Sequence, residues 1–528
     1  MPLSPPPSSL PRPELDALVL ELLGQVSDLK ALVAAQRDEI ARLKGLKGRP
    51  SIKPSRPSSM EKAAGGQGSA AKDHKRRRGH VTPRVAREVE VLRVAVPKGS
   101  RFKGYEPYDM QDLTISARAV HYRRERWLTP EGITVVAPLP LGIVGHFGPE
   151  LRRFVLMQYH QGQVTVERLA MHLQAIGVSI SKRQVMRLLI ERQDGFLAET
   201  TQVLRAGLQT GGWISVDDTG ARHRGINAVC TQIGNDDFTW FGTNYSKSRL
   251  NFLSLVRAGH QDYQINDAAL HYMREHHLAS PLIARLAAHG QRQFADERAW
   301  HCHLERLGLT GLAVTPDPVK VATEAALWGA VSAHGFLPGT AVVSDGAGQF
   351  AISLQALCWV HAERLVHKLE AFTEAQRQAQ QRVRSLIWRL YADLKAYRLD
   401  PCPRRARELS ARFTRVFDRR TGFATLDRLL QRLHANKSQL LMVLDHPDIP
   451  LHTNGSENDI RCHITKRAVS GGTKSNNGRD CRDAFLSLAK TCRKLGISLW
   501  DYLGDRPGIA SIPIQPLADL IRCRGKPA

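Results

Sequence analysis

Between residues 13 and 45 the apolar positions recur every seven residues. Val19, Val26, Val33 and Ile40 fill one column, and Leu15, Leu22, Leu29 and Leu43 the other, with Gln36 interrupting the second. β-Branched residues at one seam position and leucine at the other favour a parallel two-stranded coiled coil over a helix packed on its own domain. From Lys47 to His80 the apolar pattern vanishes. Ten Lys and Arg face only Glu61 and Asp73, among Pro, Gly and Ser. Such a segment (46–80) is expected to be a disordered basic linker. Its cluster Arg76, Arg77, Arg78 suits a DNA-backbone arm; a solvated linker has the same composition.

Residues 81–140 alternate in the manner of strands, at Val89–Val94, Ala119–Trp127 and Ile133–Val136, which predicts a small β-rich module. The spacing then becomes helical over 145–205. Val164–Leu173, a turn at Gly177, and the Ser-led basic segment Ser181–Leu189 resemble a helix-turn-helix, whose second helix would bring Lys182 and Arg183 to DNA. A helical hairpin without a DNA contact gives the same pattern.

From 211 to 500 strands and helices mix. Trp213–Val216, Ala228–Ile233 and Phe238–Phe241 predict a three-strand meander, followed by strands at Ala341–Ser344 and Leu354–Val360. Two long helical stretches, at about 247–338 and 362–445, interrupt this α/β core. Residues 456–500 return to helix, broken by Ser470-Gly471-Gly472-Thr473, and 501–528 form a Pro-rich tail.

Charge narrows the class. The 528 residues carry a formal net charge of +25, spread along the chain, which points to a polyanion such as nucleic acid. No apolar run reaches the roughly 20 residues needed to span a bilayer, and the N-terminus lacks signal-peptide features. A cytoplasmic, nucleoid-associated protein is expected. The eight cysteines are scattered and none forms a C-x-x-C pair, so the region 81–140, which has no cysteine, is expected to hold no zinc.

Three acidic residues stand in a distinctive context. Asp217 ends the first apolar run, Asp345 ends the run Ala341–Ser344, and Glu457 lies at the start of a helix. Strand-end Asp, strand-end Asp, helix Glu is the order of a ribonuclease H-like polynucleotidyl transferase. There, carboxylates hold two divalent ions for in-line phosphoryl transfer. An Asp after a strand is often only a turn former or cap, so the order of all three carries the reading.

These residues also carry a family resemblance. Asp217-Asp218-Thr219, Ser344-Asp345-Gly346, Cys358-Trp359-Val360-His361-Ala362-Glu363-Arg364 and Asn454-Gly455-Ser456-Glu457-Asn458-Asp459-Ile460-Arg461 resemble, in order, four elements of the transposases of insertion sequence family 66. Asp218 stands where relatives have Glu, Asn458 where they have Arg, and the insertion between the aspartates is longer. The resemblance implies a DDE-type DNA transposase that cuts element ends and transfers the 3′-hydroxyl into target DNA. It implies Asp217, Asp345 and Glu457 as the ligands of two Mg²⁺ (or Mn²⁺) ions, with support from Asn454, Arg461 and His361. The implied partners are element-end and target DNA and a second protomer, with room for accessory proteins of the same element. Lys466, Arg467, Lys474 and Arg479 would form a basic lane to the site. The rival readings are a coiled-coil dimeric DNA-binding regulator with an inactive core, and a nuclease of the same fold without strand transfer.

Overall fold

The computed structural model describes residues 88–525, apart from 141, 142, 144, 313 and 511. The heptad segment and Arg76–Arg78 lie outside the described residues. The chain divides into two units, 1–112 and 113–528. In the first, residues 88–112 carry no helix or strand, so the alternation at Val89–Val94 does not produce one. In the second, the expected β module reduces to a hairpin, β1 (Arg126–Leu128) with β2 (Thr134–Val136), paired antiparallel and exposed throughout. Period-2 alternation extends a strand only where a partner strand or a core covers one face, and here neither does.

Helices α1 (Pro149–His160), α2 (Val166–Ala175) and α3 (Lys182–Ile190) pack on one another. The Ser at 181 caps α3 as its sequence predicts. Its Oγ accepts from the Gln184 amide at 3.3 Å, and the Gln184 Oε1 accepts from the Ser181 amide at 2.8 Å. Val185, Leu188 and Leu189 turn inward, while Arg183, Met186 and Arg187 are exposed. The long α4 (Asp194–Thr210) leads into the sheet.

The sheet has five strands in the order β5-β4-β3-β8-β9. β3 (Trp213–His223), β4 (Ile226–Gly234) and β5 (Thr239–Asn244) form the antiparallel meander, and β8 (Ala341–Ser344) and β9 (Gln355–Leu357) add parallel to β3. Between β5 and β8 come α5 (Arg249–Val256), α6 (Asp267–Glu275), α7 (Ser280–Ala288), α8 (Glu297–Arg306) and α9 (Pro318–Ala333), with a small β6–β7 ladder (Tyr263–Gln264, Gln293–Phe294). Their apolar faces join the core shared by α1–α4.

After β9, α10 (Trp359–His367) is followed by α11 (Glu374–Tyr397), α12 (Pro403–Phe417) and α13 (Ala424–Ala435), with a short α14 (Lys437–Leu440). In α12, Leu409, Phe413, Val416 and Phe417 follow the 3.6-residue period and bury against Leu430, Ile387 and Trp359. This second insertion thus has its own core, continuous with Val343 under the sheet.

Two helices cross the meander: α15 (Asn454–Ser470) on β3 and β4, and α16 (Asn476–Leu495) on β5. The C-terminal stretch is built into the fold. α17 (Leu499–Asp505) lies on α1 and α18 (Leu517–Arg524) on α4, with Leu517 and Ile521 buried. Arg506 Nη2 pairs with Glu199 at 2.6 Å beside them. The Pro-rich composition of this stretch hides two short amphipathic turns that only tertiary contacts reveal.

Candidate active site

β3 and β8 deliver two carboxylates to the same level of the sheet. Their last parallel pair is Ser215 with Val343. Asp217 and Asp345 each follow by two residues, so continuing that register sets them side by side. Asp345 directly follows the last residue of β8. Asp217 does not end its strand, because β3 continues antiparallel to β4 as far as His223. Only its parallel partner stops, and that exposes the Asp217 edge.

The turn after β8 depends on Gly346, whose φ of +95° belongs to the left-handed region that a side chain resists. Asp345 Oδ1 accepts from the Ala347 amide at 2.9 Å and shapes the same turn. Glu457 arrives from the first turn of α15. Its neighbour Ser456, 1% exposed, hydrogen-bonds Ser215 of β3 at 2.5 Å.

The charges couple. Burial raises the Asp217 carboxyl to about 6, and the negative charges of Asp345, Asp218 and Glu457 add to it against the hydrogen bond from the Asp218 amide. Asp217 therefore senses both other members of the acidic set. The three carboxylates do not close to within 4.8 Å of one another, as a single tightly caged ion would require. Three hard oxygen donors in an open arrangement suit ions that keep water and substrate oxygens.

Asp217 and Asp218 have different surroundings. Successive strand side chains point to opposite faces. Asp218 is paired with Lys247, accepts from Gln349 Nε2 at 2.7 Å and is only 6% exposed. Asp218 is thereby committed to holding the Asp345 loop against the sheet.

Cationic groups rim Glu457. His361 Nε2 lies 3.6 Å and Arg364 Nη2 4.0 Å from Glu457 Oε1. A hydrogen bond to Cys358 raises the His361 imidazole above its ordinary range, against burial. Burial pushes the Cys358 thiol up, but hydrogen bonds from His361 and Thr453 outweigh it and lower the thiol. Among the described residues the ion-pair partners of Glu457 are His361 and Arg364, not Arg461, which is exposed on α15. Asn454 is exposed at the start of the same helix. Arg364 was missed by sequence reasoning, although the Cys-Trp-Val-His-Ala-Glu-Arg element contained it. It lies one helical turn after His361, which puts both on one face of α10.

The basic lane divides. Lys474 is exposed, and Arg467 is partly exposed and packs over Gly220 of β3. Arg479 is 22% exposed and paired with Asp480 at 2.8 Å. Lys466 must be corrected: it is 1% exposed, its Nζ donates to the Tyr159 carbonyl at 2.6 Å, and it sits 3.2 Å from the Tyr159 ring centre. Its position on the inner face of α15 turns it toward α1, away from any DNA. Lys182 is exposed and paired with Glu167 at 2.5 Å, and Arg183 is exposed.

The loop Ser470-Gly471-Gly472-Thr473 that breaks the helical stretch stands apart from the acidic site. It lies at the opposite end of α15 from Glu457, about 20 Å away at 1.5 Å per residue. There it is knitted to β3. Thr473 N donates to Arg222 O at 3.0 Å, Arg224 N to Thr473 O at 2.7 Å, and His223 Nδ1 lies 2.8 Å from Thr473 Oγ1. Gly472 is required because a Cβ there would meet the Arg222 carbonyl oxygen at 2.5 Å.

Comparison with known families decides the identity. The family model described as Transposase IS66 family matches residues 144–249 and 335–480, which include α1–α4, all five strands and the acidic residues. The chain belongs to the IS66 transposase family. The interval between the two matched segments is the first helical insertion, so the family pattern runs across the sheet and skips α6–α9 and all but the first residue of α5. This IS66 family member is also 48% identical over 323 residues to the uncharacterized protein y4jO of Sinorhizobium fredii (strain NBRC 101917 / NGR234), covering 61% of this chain and 100% of the relative. Among the described residues, no helix of this transposase is long and apolar enough to cross a membrane.

Proposed function

We propose that this transposase cleaves DNA at the ends of its element and joins the freed 3′-hydroxyl to target DNA, using Asp217, Asp345 and Glu457 on a ribonuclease H-like core. The observation that carries the reading is the convergence of three acids from β3, from the turn after β8 and from α15, with Asp217 raised first by burial and further by the charges of Asp345 and Glu457. The strand order, an antiparallel meander extended by two parallel strands, supports the ribonuclease H-like assignment. Helices α1–α3, with Arg183 and Arg187 outward, suit a DNA-binding element, and the heptad segment suits pairing of two protomers.

The residues fit a pair of Mg²⁺ or Mn²⁺ ions. All three donors are carboxylates, the hard oxygen ligands that such ions take, and their mutual repulsion adds to the burial that raises Asp217. Such ions, when bound, stabilise the attacking and leaving oxygens of the displacement. The chain's own groups orient the substrate. Arg364 and His361 stand beside Glu457, where they would hold the phosphate next to the scissile bond, and Arg461 and Asn454, exposed on α15, would contact the DNA strand. The test is strand transfer of end-sequence oligonucleotides in Mg²⁺. The reading expects a joined product that requires the cation. Cation-independent cutting, or cutting with no joined product, would count against it.

A further inference from the structure

The inner face of α15 carries a second cluster, apart from the acidic site. Cys230 of β4, His463 of α15 and Asp483 of α16 bring a sulfur, a ring nitrogen and a carboxylate oxygen within 4.8 Å of one another. Cys230 and His463 are 0% exposed and Asp483 5%. Both ring nitrogens of His463 are buried without a hydrogen-bond partner. A buried imidazole left so is destabilising unless something binds it. Asp483 is already oriented: its Oδ1 accepts from Arg482 Nε at 3.0 Å, and Arg482 Nη2 is anchored on Thr243 Oγ1 at 2.8 Å.

We propose that Cys230, His463 and Asp483 form a buried site for one zinc-class divalent ion, which ties α15 to β4 and α16. Thiolate, imidazole and carboxylate are the donor types that zinc accepts, while Mg²⁺ avoids sulfur. Three protein ligands leave the fourth tetrahedral position to a small ligand. Neither ring nitrogen of His463 has a hydrogen-bond partner, so the imidazole has a lone pair free to bind. On binding, the Cys230 S–H bond breaks, the sulfur–metal bond forms and the proton passes to solvent. Thiolate and carboxylate then balance the two charges of the ion. Arg482 serves as the outer partner that fixes the carboxylate. His463 lies six residues after Glu457 on the same helix, so the ion would fix the seat of the helix that carries the catalytic glutamate. The inference does not rest on the DNA chemistry.

The test uses the full chain, stripped with chelator, returned to excess Mg²⁺ and titrated with Co²⁺. A cobalt–thiolate bond gives a near-ultraviolet charge-transfer band that a carboxylate site cannot give. The site requires one equivalent of Co²⁺ with that band, displaced by Zn²⁺. The band should vanish in Cys230→Ala and persist in Asp217→Ala and Cys358→Ala. His463→Gln should weaken binding by more than about tenfold, and it decides the matter if Cys230→Ala does not fold. A wild-type protein that shows no band, a band that survives Cys230→Ala, or unchanged affinity in His463→Gln would overturn the proposal.

Discussion

Ser456 and Ser215 share a hydrogen bond of 2.5 Å across the junction of α15 and β3. Each stands next to an acid of the site, Ser456 one residue before Glu457 and Ser215 two before Asp217. The bond therefore sets the relative position of two acidic residues that are far apart in sequence. Ser456→Ala leaves the Ser215 hydroxyl with only the Gly234 carbonyl at 3.4 Å. The expected cost is about 1–2 kcal/mol of stability, measured by denaturant unfolding. Strand transfer should fall by about tenfold while end-DNA affinity holds, since a misplacement near 1 Å slows chemistry far more than binding. An unchanged rate would show that the bond does not position the acids.

Arg364 gives a second expectation. It faces Glu457 and His361 and is 44% exposed, so it can reach a bound phosphate. Arg364→Lys should keep the charge but lose the planar fork. Strand transfer should drop by about tenfold or more with little change in melting temperature, and Arg364→Ala should drop it further. Equal activity in the two variants would mean that geometry at this position is unimportant.

Much of this architecture was legible in the chain, for reasons that differ by element. The apolar runs at Trp213–Val216 and Ala341–Ser344 are buried on both faces, so they stand out as continuous stretches. The Ser181 cap was visible because its partner Gln184 lies three residues away. The extension of β3 through Asp217, Asp218 and Thr219 was not legible, because a polar run becomes strand only by pairing with β4. Lys466 looked like part of a basic lane for a similar reason. Only the packing of α15 on α1 shows that it is buried on Tyr159. His463, the Ser215–Ser456 bond and the docking of α18 on α4 all join residues distant in sequence, which local spacing does not encode.

Lys466 yields a pH expectation. Burial lowers its ammonium from 10.5 to about 7. Between those values the unfolded chain binds the proton more readily than the folded one, so folding stability rises as pH climbs from 7 toward 10.5. Below 7 the folded lysine is charged as well and the full penalty is present. Unfolding of wild type and Lys466→Met at pH 7 and 9 checks this. The wild type should gain stability relative to Lys466→Met across that interval, and a parallel response of the two would show that the lysine titrates normally.

Arg183 and Arg187 bear on how DNA is held. Both are exposed on α3, away from its buried Val185, Leu188 and Leu189. Arg183→Ala should weaken end-DNA binding without lowering the melting temperature. If it contacts phosphate, the slope of log affinity against log salt should fall by about 1. Fluorescence anisotropy at several salt concentrations measures it, and an unaltered affinity would remove α3 from the DNA interface.

The most direct test of the account is strand transfer by Asp217→Asn, Asp345→Asn and Glu457→Gln in Mg²⁺, alongside Asp218→Asn. The account predicts that each of the first three abolishes joined product, a loss of at least about a thousandfold, while end-DNA binding and the melting temperature hold. Asp218→Asn loses the charge pairing with Lys247 but keeps an amide oxygen that can accept from Gln349 and hold the Asp345 loop, so it should retain most activity. Full activity in any of the first three would contradict the assigned site, and so would loss in Asp218→Asn with Asp217→Asn unaffected.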